Sequence, residues 1–148
     1  MSRASPEIQD LARRLLAFET ARDNSSAAHA DAARRVIEKC RLHLIKLAGV
    51  AGFRSLLSRA LTLAKAEVPS LEMVHVRADG SLEGFDGIEG NREGEAGAVA
   101  GQAGTALVVN LLELLVTFIG EPLTLRLVHA IWPDASADTG NLITEEKR

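Results

Sequence analysis

The feature that most constrains the fold is the run from Gly104 to Gly120, the most hydrophobic stretch of the chain. On a helix of about 3.6 residues per turn, its less apolar positions fall in one narrow stripe, and aliphatic or aromatic side chains occupy the rest of the circumference. The stripe consists of Ala106, Asn110, Glu113 and Thr117. Because such a helix must be surrounded, we expect the other segments to cover it.

Three amphipathic segments precede Pro69. Ser5 and Pro6 are typical of a helix start, and helical spacing of apolar residues continues to about residue 22. The apolar face consists of Ile8, Leu11, Ala12, Leu15 and Leu16, with Phe18 or Glu19 beyond. The same periodicity recurs on both sides of an interruption at 49–52. The pattern predicts helices over about 5–22, 27–47 and 53–68.

After Pro69 the periodicity changes. Asp79-Gly80 lies between two short extended runs and is typical of a hairpin turn, which predicts a small β-hairpin around 71–85. Residues 84–97 are rich in glycine and acidic residues and are predicted as a loop.

Two further helices are predicted over about 98–119 and 122–132. The first is placed no earlier than 98 because each glycine inside a helix costs roughly 0.8 to 1 kcal/mol relative to alanine. The predicted fold class is therefore all-α, mainly a helical bundle with a small hairpin. Residues 1–134 are expected to form a single helical domain and 135–148 a disordered tail.

The composition bounds the chemistry. Aromatic residues are only 3% of the 148 residues and there is no Tyr, which favours helices over a strand-rich fold. A single cysteine, Cys40, excludes an internal disulfide and indicates a reducing, cytoplasmic location. The four histidines have no short metal spacing, and no nucleotide-binding or hydrolase motif is present. We expect no cofactor, no metal and no catalytic residue.

The segment from Gly97 to Gly120 is long enough to cross a bilayer. It contains Gln102, Asn110 and Glu113, however, and an acidic residue near the middle of a span costs about 2.5 to 3.5 kcal/mol. No basic cluster flanks either end. These features argue against a membrane as partner and favour a core or oligomer helix.

Polar residues at the hydrophobic maximum have three interpretations. Asn110 and Glu113 form a solvated edge, a buried polar pair with basic residues of the first three helices, or a dimer seam that sets register. We predict a non-enzymatic protein–protein interaction or regulatory module that self-associates through the apolar helix 105–119, as a homo-oligomer or with an unidentified protein partner. The predicted interface residues are Asn110, Leu111, Glu113, Leu115 and Phe118.

A second hypothesis rests on His43 and Lys46. A histidine followed three residues later by lysine, with small residues beyond, resembles the motif of histidine phosphotransfer domains, which are helical bundles. The resemblance implies a phosphorelay carrier in which His43 takes the phosphoryl group and Lys46, on the same helix face, offsets its charge. The family has glycine directly after the lysine, whereas this chain has Leu47.

The charge distribution leaves a third hypothesis. Residues 1–68 carry 12 Lys/Arg against 7 Asp/Glu, and residues 69–148 carry 5 against 13. Either the basic half faces an anionic partner or the two halves neutralise each other. A helical DNA-binding regulator would use the pair of helices joined near Gly49, with Arg54, Arg59 and Lys65, or the pair joined at Gly120. Because the charges are interspersed along helices, nucleic acid is not the preferred partner.

Overall fold

The computed structural model describes residues 6–21, 28–84 and 95–133, and within them it confirms a mainly helical fold with a small hairpin. The elements are α1 (Pro6–Ala21), α2 (Ala28–Glu67), a 3-10 helix (Pro69–Met73), β1 (His75–Val76), β2 (Leu82–Glu83), α3 (Glu95–Ile119) and α4 (Glu121–Ile131). The predicted tail at 135–148 and most of the predicted loop at 84–97 lie outside the described residues.

Helix α3 is the centre of the molecule, and α1, α2 and α4 all pack on it. Its Leu107, Val108, Leu111 and Leu112 side chains are fully buried and Leu115 is nearly so. The surrounding helices contribute their own apolar faces to the same core. The buried residues of α1 and α2 include Ile8, Leu11, Leu15, Val36, Ile37, Leu44, Phe53, Leu57, Ala60 and Leu61. The helix that we expected to be covered is therefore covered by the rest of the chain.

The start of α3 differs from the prediction. The helix begins at Glu95, before the predicted start near residue 98, and includes the glycines that were expected to delay it. Ala103 and Gly104 are both buried. Small residues let neighbouring backbone approach closely, and the packing gained in this way offsets the conformational cost of glycine.

Helix α2 is broken at a single residue. Gly49 has φ 82° and ψ 166°, while the residues on both sides of it are helical. The predicted interruption at 49–52 is therefore narrower than expected, and Gly52 is part of the second half. Leu44 and Phe53, both buried, are nine residues apart. At about 100° per residue they would lie on opposite sides of a straight helix, so the break allows both to face the core.

The hairpin is short and lies across this break. β1 pairs antiparallel with β2, with Val76 opposite Leu82, and the predicted strand residues 71–73 belong instead to the 3-10 helix. Arg41, from the first half of α2, donates a hydrogen bond from Nη1 to the Asp79 carbonyl at 3.1 Å. Arg54, from the second half, donates from Nε to the Arg77 carbonyl at 3.2 Å. The hairpin thus connects the two halves of α2.

One segment of α3, Gln102–Ile119, is long and apolar enough to cross a membrane, with a mean hydropathy of 1.7. In the fold, 44% of that segment is buried. A core helix of a soluble protein has the same length and hydropathy, so this property does not distinguish the two environments.

Candidate functional site

An apolar groove lies where the break in α2 meets the carboxyl end of α3. Its volume is about 520 Å³, which is within the usual range for binding sites in proteins. Both halves of α2 form one wall and the last turns of α3 the other, so the groove depends on the bend at Gly49. The lining residues are Leu44, Leu47, Ala48, Gly52, Phe53, Ser55, Leu56, Arg59, Leu115, Phe118 and Ile119.

The groove has both a buried floor and exposed apolar residues at its edge. Leu44 and Phe53 are buried, whereas 70% of Leu47 and 63% of Phe118 are accessible to solvent. Val50, adjacent to the break, is 40% exposed. Large apolar side chains that are exposed next to one another indicate a binding surface more often than isolated ones do.

Among the described residues, the polar side chains that line the groove are those of Ser55 and Arg59, both on the second half of α2 and both exposed. They lie four residues apart and therefore on the same face of the helix. An apolar recess with a polar side is the usual composition of an interface, in which an apolar centre is bordered by polar groups.

The predicted interface residues on α3 lie in different environments. Leu111 and Leu115 are buried inside the protomer, with 0% and 2% exposure, and Leu115 lines the groove. Asn110 and Glu113 are half-buried, and Phe118 is exposed at the edge of the groove. Of the five predicted residues, Phe118 is therefore the one that α3 presents as an apolar contact.

Asn110 makes local contacts. Its Nδ2 donates a hydrogen bond to the Ala106 carbonyl at 2.8 Å and lies 3.5 Å from Glu67 Oε2 on α2. The Glu113 carbonyl, on the same stripe, accepts a hydrogen bond from the Thr117 hydroxyl at 3.0 Å. The residue on α2 that faces Asn110 is therefore acidic.

The predicted phosphorelay residues lie on the first half of α2. His43 is half-buried, and its Nδ1 lies 3.1 Å from the Lys39 carbonyl, one turn earlier. A neutral His43 that donates from Nδ1 leaves its other ring nitrogen as the acceptor. Lys46 is exposed, and Leu47, where the phosphotransfer family has glycine, is one of the most exposed apolar residues. The arrangement of these residues does not indicate which molecule would donate a phosphoryl group to His43.

A second site centres on Glu19. The sequence indicated this residue only as an alternative to Phe18 at the end of the apolar face of the first helix. Its side chain is 1% exposed, although Glu is among the residues that are rarely buried without a partner. Arg35 Nε donates to Oε1 at 3.2 Å, Lys39 donates to Oε2, and Trp132 Nε1 donates to Oε2 at 2.9 Å. Glu19 therefore joins α1, α2 and the residue that follows α4.

The environment of Glu19 determines its ionisation. Burial by itself raises the pKa of the carboxyl group, but the hydrogen bonds from Lys39, Trp132 and Arg35 and the charge of Lys39 outweigh it, so the pKa lies below its usual value. Lys39 Nζ also lies 5.9 Å from the centre of the Trp132 ring. The sequence contained one signal of this cluster: Glu19 is an acidic residue four positions after Leu15, on a helix face that otherwise belongs to the core.

Cys40 lies on the buried side of α2 and faces the core. It is 1% exposed, and burial raises the pKa of its thiol to about 12. A thiol in this state is protonated at neutral pH and is a poor nucleophile.

Within residues 6–21, 28–84 and 95–133 there is no group of three or more His, Cys, Asp or Glu side chains that could hold a metal ion. No family model, curated protein or solved structure matches this chain.

Proposed function

We propose that the protein is a non-enzymatic interaction module that self-associates through the groove at the break in α2. The observation that carries this proposal is that a concave apolar recess and prominent apolar side chains occur on one surface. The occupant that we assign to the groove is a second copy of the same chain.

The choice of a second copy follows from the shape of the surface. A two-fold interface uses the same patch on both subunits, so that patch must contain both the projection and the recess that receives it. Phe118 and Leu47 project from the edge, and the recess between α2 and α3 has an apolar floor. In a two-fold pair each copy would insert its projecting side chains into the recess of the other.

The prediction is that Leu47→Gln weakens self-association by a factor of about a hundred or more. Burial of one leucine side chain contributes about 1.5 to 3 kcal/mol, and a two-fold interface contains the residue twice. The measurement is the molar mass by light scattering over a range of protein concentrations, from which the dissociation constant is obtained.

Met73→Gln is the matched control. Met73 is 71% exposed, nearly the same as Leu47, but it lies in the 3-10 helix and does not line the groove. Both variants remove one exposed apolar side chain, so both should keep the stability of the parent protein. A parent protein that is monomeric at every concentration, or equal weakening by the two variants, would refute self-association through the groove.

A further inference from the structure

The break in α2 depends on one residue. Gly49 lies at φ 82° and ψ 166°, in a region of conformational space that only glycine adopts readily. A Cβ atom placed there would have no atom within 4 Å, so the backbone conformation and not crowding requires glycine at this position. If Gly49 adopted helical angles, Ala28–Glu67 would become one straight helix of 40 residues, about 60 Å long.

A straight α2 is incompatible with the closed protomer. The buried residue Leu44 in the first half and the buried residue Phe53 in the second half would then lie on opposite sides of the helix. Helix α3 of the same chain can cover only one of these sides. The other apolar side would be exposed unless another molecule covered it, because the hydrophobic surface of a whole half-helix is too large to leave in water.

We propose that Gly49 is the hinge of an exchange between two copies of this chain. In the exchanged dimer α2 is straight, and α1 and the first half of α2 of one copy pack on α3 and α4 of the other. Every contact that these residues make with α3 and α4 is re-formed between the copies, including the hydrogen bond from Trp132 to Glu19. This mode of assembly is independent of association through the groove.

The hairpin contacts both halves of α2 in the closed form. The hairpin binds Arg41 in the first half and Arg54 in the second, at 3.1 and 3.2 Å. Gly80 of the hairpin also lies directly against Phe53 and Arg41: a Cβ atom there would be 3.0 Å from the Phe53 ring. The hairpin therefore acts as a clasp across the hinge: opening requires its contacts with Arg41 to be released, whereas its contacts with Arg54 and Phe53 lie on one side of Gly49 and remain.

The test compares two substitutions at adjacent positions, both made in a Leu47→Gln background to remove association through the groove. Gly49→Ala disfavours the break and favours a continuous helix, because alanine is strained at this φ and has a higher helix propensity than glycine. Val50→Pro has the opposite effect. Proline disfavours helical angles in the residue before it and is accepted in the first turn of the following helix.

Each protein is unfolded, refolded at high concentration and diluted, and the fraction that persists as dimer is measured by light scattering. We expect Gly49→Ala to raise the dimer-to-monomer ratio by about a hundredfold over the Leu47→Gln parent. We expect a minor persistent dimer in that parent and none in Val50→Pro. The dimers should retain the helical circular dichroism of the monomer.

The outcomes are decisive even if Gly49→Ala does not fold, because the parent and Val50→Pro can still be compared. Equal yields of persistent dimer from these two proteins would overturn the hinge. A folded Gly49→Ala that remains monomeric would also overturn it. Association through the groove is measured without refolding, in proteins that retain Gly49. A negative result for one of the two proposals therefore leaves the other standing.

Discussion

Glu19 shows how one residue can connect three parts of a small helical fold. A buried carboxylate is unfavourable unless its charge is compensated, and here three donors from α2 and from the end of α4 surround it. The side chains of Arg35 and Lys39 are 34% and 36% exposed, so the cations keep part of their hydration while the carboxylate loses nearly all of its own. The cluster therefore secures the Trp132 end of α4 to α1.

We predict that Glu19→Gln lowers the free energy of unfolding by about 1 to 3 kcal/mol at pH 7. The amide can still accept a hydrogen bond from Trp132, but it gives no charge to Arg35 and Lys39. Urea unfolding followed by Trp132 fluorescence measures the change. Asp10→Asn is the control: Asp10 lies 3.1 Å from Arg14, and both side chains are substantially exposed, so its loss should cost under about 1 kcal/mol.

The effect should depend on pH in one direction. Because the pKa of Glu19 is lower in the folded protein than in the unfolded chain, its ionised form stabilises the fold above the unfolded value of about 4.3. This contribution is lost as the pH falls through the lower, folded pKa. The difference in stability between the parent and Glu19→Gln should therefore shrink below about pH 4. A difference that stayed constant, or grew, with acidification would contradict the assignment.

At the scale of elements, the hairpin depends on a close approach at its end. Gly84 follows β2 with φ 92°, and a Cβ atom there would be 2.2 Å from the Met73 carbonyl oxygen. Met73 is the last residue of the 3-10 helix, which follows α2, so its carbonyl group has little freedom to move away. Two separate constraints therefore require glycine at this position: the backbone conformation and the lack of space.

We predict that Gly84→Ala destabilises the protein more than Gly120→Ala does. Gly120 also has a positive φ, 90°, but the nearest atom to its Cβ would be 3.8 Å away. Gly120→Ala should therefore cost only the backbone strain, about 1 to 3 kcal/mol, whereas Gly84→Ala adds a clash with the main chain. Urea unfolding of both variants measures the difference. Equal losses would mean that the hairpin end moves freely.

At the scale of the whole molecule, α3 contributes side chains both to the core and to the edge of the groove. The side chains of α3 that face inward hold the other helices together, whereas Phe118 at its end is exposed. The predicted interface combined these two sets, because a helix that is apolar nearly all round does not show which residues its own chain will cover. The tertiary packing separates the buried side chains that stabilise the fold from those that remain exposed.

We predict that Leu111→Ala lowers the free energy of unfolding by about 2 to 5 kcal/mol, because it leaves a cavity in the core. Leu63→Ala, at a position 41% exposed on α2, should cost well under half as much. Both values are obtained from urea unfolding at two protein concentrations. The loss in Leu111→Ala should be the same at both, since Leu111 acts within one protomer. A loss that disappeared at high concentration would place Leu111 in an interface instead.

The sequence by itself determined the helices, the hairpin and the central position of α3. These features follow from local patterns: a 3.6-residue period, an Asp-Gly turn and one run too apolar to face water. The Glu19 cluster could not be predicted in the same way, because its donors are 16, 20 and 113 residues distant in the chain.

Only the tertiary structure decided that the interruption of α2 is a single residue, which face of α3 remains open and what surrounds Glu19. Sequence periodicity shows that a helix has an apolar face, but it does not show which element will cover that face. The groove exists because two halves of one helix, bent at Gly49, meet the end of another helix that follows much later in the chain. Such a surface depends on the relative placement of distant segments, and local propensity contains no information about that placement.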